Sequence, residues 1–189
     1  MKAAIALLTD YGTQNFVRRI VLELNRKYGI SFITSLLPAH VSLKQPFLFI
    51  SMDRLEQYFN KLAEEIEPFV VELDRFYHTQ WSGYGILGLN VRETNTLRKL
   101  HNRINIELAD LFENTSSPHD GDRYHFHLTI EVGKVEVVDV FRNYYKELSS
   151  NKINLKFTAR KIALFYYDGE PIPGSFTTYK VLELGSRRH

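Results

Sequence analysis

Two short segments of the 189-residue chain carry the same pattern of reactive side chains: His40-Val41-Ser42-Leu43 and, 87 positions on, His127-Leu128-Thr129-Ile130. In each, an imidazole and a hydroxyl are separated by one apolar residue and followed by another. Side chains alternate between faces along a strand, so the histidine and the hydroxyl share one face while the apolar residues take the other. An imidazole titrates near neutrality, so a pair with one neutral and one protonated member can remove one proton and deliver another in a single turnover. Hydroxyls beside such a pair can donate to oxygens on which charge develops. Two strands of this kind facing each other across a cleft suit displacement at a phosphodiester. One histidine deprotonates the attacking oxygen and the other protonates the leaving oxygen, while Ser42 and Thr129 hold the non-bridging oxygens. This chemistry calls for no metal and no cofactor.

The surrounding pattern supplies the strands. Residues 3–9 form an apolar run closed by Asp10-Tyr11-Gly12 and read as a buried strand; Thr13 then caps a helix over 14–28, with Val17, Ile20, Val21 and Leu24 on one face and Gly29 as its stop. A strand follows over 40–46, then a helix over 52–67 with Leu55, Tyr58, Phe59, Leu62 and Ile66 on one side. Strands over 69–78 and 84–91 flank the turn Trp81-Ser82-Gly83. The order then recurs: a helix over 95–112, a polar loop over 114–121, a strand over 124–132, a helix over 138–148, and strand segments over 153–166 and 176–184. Superimposing His40 on His127 brings Ser42 onto Thr129 and aligns the helices and strands that follow, which is an internal repeat. The expected fold class is α+β: two pseudo-symmetric lobes, each an antiparallel sheet backed by helices, with a central groove. Residues 1–189 form one bilobal domain in this reading.

Composition narrows the function. The chain has no cysteine, which removes disulfides, thiol nucleophiles and thiolate metal sites. The apolar run near the start is too short for a signal segment and nothing approaches a membrane span, so the protein is expected to be cytoplasmic. A formal charge of +2 is small for a protein that tracks long nucleic acid.

Other residues offer lesser roles. Lys44 extends the face of His40 and Ser42 and could attract a phosphate; Phe47 and Trp81 could stack on a base. His125 shares the face of His127 as a rim or supporting group, and Glu131 could orient an imidazole. Arg18, Arg19, Arg98, Lys99 and Arg103 read as solvated helix faces.

The paired H-V-S-L and H-L-T-I segments, in equivalent places of a repeated plan, resemble the two-histidine (2H) phosphoesterases, which include 2'-5' RNA ligases and cyclic nucleotide phosphodiesterases. The spacing of the two motifs looks like that family's, and the resemblance covers nearly the whole chain. It implies metal-independent action, without a cofactor, on a 2',3'-cyclic phosphate at an RNA end or on a small cyclic nucleotide, or reversible 2'-5' ligation. His40, Ser42, His127 and Thr129 would be catalytic, with Lys44 and Phe47 as substrate contacts. The partners would be RNA termini or small nucleotides, with no membrane, and the protein would act as a monomer. Two other readings are a non-catalytic RNA-end or nucleotide-binding module, which would not need a matched acid and base, and a metal-dependent hydrolase built on His119, His125 and His127.

Overall fold

Three of the four described helices begin where a side chain accepts from a free backbone amide. In the computed structural model, which describes residues 1–30, 37–81, 83–117, 120–150, 152–169 and 175–186, Asp10 accepts from the Thr13 amide and opens α1 (Tyr11–Tyr28). The cap is therefore Asp10, and Thr13, expected in that role, is buried inside the first turn. Gly29 closes α1 at φ 67°, in the left-handed region that glycine enters without penalty. Ser51 and Thr94 cap α2 (Met52–Glu65) and α3 (Asn95–Leu111) by accepting from the Arg54 and Leu97 amides. A fourth helix, α4, spans Val138–Leu148 and buries Val138, Phe141 and Tyr144.

The strands are β1 (Lys2–Leu8), β2 (His40–Leu48), β3 (Phe69–Trp81), β4 (Tyr84–Val91), β5 (His127–Lys134), β6 (Leu155–Ala159), β7 (Lys161–Tyr167) and β8 (Thr177–Glu183). They form one antiparallel sheet in the order β6-β3-β4-β5-β2-β1-β7-β8. The sheet divides into two wings of four strands. The first, β2-β1-β7-β8, meets the second, β5-β4-β3-β6, through a single residue pair, Val41 with Leu128. Helices α2 and α3 contact the first wing, and α1 and α4 the second. This is the α+β architecture expected, with helices backing both wings of one sheet.

The wings are not successive halves of the chain. β3 ends the first strand-helix-strand-helix-strand run yet pairs with β4, while β7 returns to pair with β1. The first half thus lends β3 to the second wing, and the second half lends β7 and β8 to the first. The segment 153–166 is two strands, broken at Arg160, and they lie on opposite wings. A flat sheet would hold β6 and β7 about 29 Å apart, six spacings of roughly 4.8 Å. One intervening residue spans about 7 Å at most, so the sheet must curl and draw the wings together at that end.

The main core gathers one face of the sheet and the buried helix faces, including Ile5, Leu7, Val41, Leu43, Leu87 and Leu128. A second, small cluster of Ala4, Ala6, Ala163 and Phe165 lies on the opposite face of the first wing.

Candidate active site

The two motif strands are held in the same way. β2 pairs with β1 as His40–Leu8, Val41–Leu7 and Ser42–Ala6; β5 pairs with β4 as His127–Asn90, Leu128–Leu89 and Thr129–Gly88. Across the junction, Val41 lies opposite Leu128. Antiparallel partners run in opposite directions from such a pair, so Ser42 stands across from His127 and Thr129 across from His40. Both histidines and both hydroxyls therefore share one patch of the open face, each imidazole facing the hydroxyl of the other motif. The structure brings together all four residues singled out as catalytic.

Each ring is oriented by the same device. His40 Nδ1 lies 2.8 Å from the Pro38 carbonyl, and His127 Nδ1 lies 2.9 Å from the His125 carbonyl, two residues back in both cases. A carbonyl can only accept, so Nδ1 carries the proton of the neutral ring and Nε2 holds the lone pair. Burial holds the pKa of His40 below its ordinary value, against the Pro38 hydrogen bond, and charge on His127 lowers it further. His127 is likewise lowered by burial, against its own backbone hydrogen bond, with a further push down from His125. The two rings thus sit near enough to couple electrostatically.

Residues not singled out from the sequence fix these strands. The Gln14 side chain donates to the Ala39 carbonyl at 2.9 Å and accepts from the Ala39 amide at 2.8 Å, clamping the residue before His40 to α1. Thr9 adds two more donors to the same carbonyl. On the second wing, His125 Nε2 donates to the Asn90 amide oxygen at 2.6 Å, and Asn90 donates to Asp74 at 2.7 Å. The Asp74 contact fixes the Asn90 amide, so His125 Nε2 is a donor and supports the strand, consistent with the expected rim role. The Tyr77 ring stands edge-on to both His125 and His127, and Phe165 stands edge-on to His40 at 4.7 Å. A Cβ at position 88 would lie 2.3 Å from the Tyr77 ring, so only glycine lets that ring lie over β4 beside the histidines. Asn90 had a signal, a polar residue in the otherwise apolar run of β4; Gln14 and Tyr77 had none.

Two expected substrate contacts are corrected. Alternation holds through the four motif residues and then breaks, because Ser42 pairs with Ala6 while Lys44 pairs with Ile5, one residue being skipped. This bulge turns Lys44 to the helix side, where it is fully buried and ion-paired with Asp120. Burial pulls its ammonium pKa down and Asp120 opposes that shift. Phe47 packs in the main core at 2% exposure and is not available to stack on a base. The same bulge recurs on β5, where Thr129 pairs with Gly88 and Glu131 with Leu87. Glu131 is therefore also buried away from the open face, and its carboxylate accepts from the Val132 amide at 3.0 Å.

Arg98, read as solvated, instead binds Glu93 through two nitrogens and the Gly121 and Tyr124 carbonyls, tying down the loop before β5. Buried His101 joins that loop to β2, with Nδ1 donating to the Leu43 carbonyl and Nε2 accepting from the Gly121 amide. Among the described residues, no three His, Cys, Asp or Glu side chains gather as a metal site. His119 and the Trp81 side chain lie outside the described residues. Among the described residues, no helix is long and apolar enough to cross a membrane.

A family model described as the 2'-5' RNA ligase superfamily matches residues 12–171. No curated protein matches in sequence. Among solved structures, the chain is similar to TT0787 of Thermus thermophilus, with 13% identity, a TM-score of 0.62 and full coverage of both chains. E. coli LigT complexed with 3'-AMP is similar at 17% identity and a TM-score of 0.60, with 97% of each chain covered. Usb1 of Kluyveromyces marxianus follows the same fold at 16% identity and a TM-score of 0.54, covering 94% of this chain and 96% of its own.

Proposed function

The chain belongs to the 2'-5' RNA ligase superfamily, and on that premise we propose that it is a phosphoesterase hydrolysing 2',3'-cyclic phosphates of RNA ends or small cyclic nucleotides. His40 and His127 act as the acid–base pair, and Ser42 and Thr129 donate to the phosphate oxygens. The observation that carries this reading is the symmetry of the patch: two imidazoles whose Nδ1 atoms are tied to the carbonyl two residues back, each opposite the other motif's hydroxyl. Binding alone would not require two matched proton carriers. One neutral ring takes the proton of water as its oxygen attacks phosphorus, and the protonated ring gives a proton to the departing ribose oxygen. The hydroxyls stabilise the charge that builds on the non-bridging oxygens between them.

Hydrolysis is favoured over reversible ligation because joining must hold two RNA ends at once. A net charge of +2 provides little of the cationic track that a second strand needs. E. coli LigT, which shares this fold, is seen with 3'-AMP, a nucleoside phosphomonoester of the kind that ring opening would release. We further propose that both wings work as one unit in a monomeric cytoplasmic protein that takes RNA termini or small nucleotides as partners.

The test is a panel of 2',3'-cyclic nucleotides, cyclic-phosphate-ended RNA and 2'-5' dinucleotides incubated with chelator present. Ring opening to a phosphomonoester is the expected result. Binding of these compounds without turnover would support the non-catalytic module, and activity that appears only on adding metal would contradict the acid–base mechanism.

A further inference from the structure

The weakest seam of the sheet runs beside the motif residues. β2 and β5 share one residue pair, Val41 with Leu128, and the ladder from β2 to β1 slips between Ser42 and Lys44. Buried backbone groups that a ladder leaves free need other partners. Residues 42–45 are held at that slip by α3 and by the run of chain that leads into β5. In that run Tyr124 and Phe126 alternate with His125 and His127, and both aromatic residues are buried. The Tyr124 hydroxyl donates to the Ser42 carbonyl at 3.1 Å and accepts from the Gln45 side chain at 3.0 Å. Burial pushes the pKa of this phenol up to about 12, so it keeps the proton it donates. Its ring stacks on buried His101, with centroids 4.4 Å apart and planes 12° from parallel. His101 in turn joins the Leu43 carbonyl to the Gly121 amide, and Lys44 completes the series on Asp120.

We infer that Tyr124 is a positioning residue: its hydroxyl stands in for a ladder bond at Ser42, fixes the strand there and so aims the Ser42 hydroxyl at the phosphate. This inference rests on the phosphoesterase reading above. One short run, residues 124–127, carries Tyr124 at one end and His127 at the other. The bond to Ser42 therefore sets the hydroxyl of the first motif relative to the imidazole of the second, across a seam that a single residue pair holds. Tyr124 bonds to the backbone of Ser42 and to no reacting atom, so it influences turnover through the placement of Ser42. The Ser42 hydroxyl acts on charge that develops during reaction, so misplacing it lowers kcat and leaves binding of the ground state nearly untouched.

Tyr124→Phe tests the inference, because it keeps the ring on His101 and removes only the hydroxyl. On a 2',3'-cyclic nucleotide it should lower kcat about tenfold or more, short of the roughly 10²–10³ lost with an oxyanion donor itself, while KM changes less than about twofold. In a Ser42→Ala background the same substitution should cost nothing further, and in a Thr129→Ala background it should cost its full factor, the signature of coupling to Ser42 in a double-mutant cycle. Equal losses in both backgrounds would make Tyr124 general support for the fold and overturn the inference. A raised KM at unchanged kcat would make it a substrate contact in the cavity it borders with Gln45, and would overturn it as well. Each variant is checked by thermal melting. If Tyr124→Phe melts below the assay temperature, Gln45→Leu, which frees the Tyr124 hydroxyl from the group that orients it, should show the same pattern across the two backgrounds at a smaller factor. Wild type inactive on every cyclic phosphate would instead overturn the phosphoesterase reading. The bond itself is then read from amide hydrogen exchange, which Tyr124→Phe should speed across residues 41–45 and which unchanged protection would contradict.

Discussion

The two wings share a frame and differ in what they lay over it. Position for position, Leu8, Ala6 and Ala4 of β1 correspond to Asn90, Gly88 and Ile86 of β4, and their outer partners Lys161, Ala163 and Phe165 correspond to Arg75, Tyr77 and Thr79. Apart from Lys161, the first wing is paved with apolar side chains under an apolar cover. The second carries the Tyr77 phenol and the Thr79 hydroxyl on the wall of an open cavity. The common frame presents two histidines held in matching ways, and the neighbouring rows lay an apolar cover on one side and leave an open cavity on the other. In the proposed reading, catalysis draws on what the wings have in common.

The largest effect should come from the shared part. His40→Ala and His127→Ala should each remove on the order of 10²–10⁴ of kcat/KM on a cyclic phosphate. The double variant should be little worse than either alone, because residues that act as a unit do not contribute additively. Multiplying losses would mean that the wings act independently. Next comes Lys44. Lys44→Met leaves Asp120 charged and buried, which should cost about 3–5 kcal/mol of unfolding free energy, measured by denaturant titration, with KM of the folded fraction unchanged. A raised KM at unchanged stability would return Lys44 to the substrate groove. Ser42→Ala and Thr129→Ala should each lower kcat by up to about 10²–10³. Similar losses at the two positions would support equal shares of the phosphate, and loss at only one would show that the two hydroxyls are not equivalent.

Much of this was legible in the residues themselves. The alternation His-apolar-hydroxyl-apolar holds on both strands, so the four positions proposed as catalytic could be placed on one face, and the repeat placed the strands as equivalents. Lys44 and Glu131 were misplaced because a bulge after each hydroxyl shifts the alternation by one, and neither Gly nor Pro marks that site. The break at Arg160 is hidden for a similar reason: Leu155–Ala159 and Lys161–Tyr167 are both strand-forming, and only their pairing on opposite wings separates them. Asp10 displaced Thr13 as the cap of α1 because either side chain can accept the free amides, and the chain turns one residue after Thr9. Gln14 and Asp120 act through contacts 25 and 76 residues distant in sequence, to Ala39 and Lys44, which no local pattern encodes.

The most direct test is the pH dependence of kcat/KM for the wild-type protein on a 2',3'-cyclic nucleotide, since it reports the acid and the base of the free enzyme. Burial lowers both histidines from the ordinary value of 6.5. The neutral base is lost as pH falls through its lowered pKa, and the protonated acid is lost as pH rises through its own. The expected curve is a bell whose limbs both lie on the acid side of an ordinary histidine pair, with activity falling as pH rises through 7. A profile that is flat across this range, or that rises through a single ionisation to a plateau above 7, would contradict the paired-histidine mechanism.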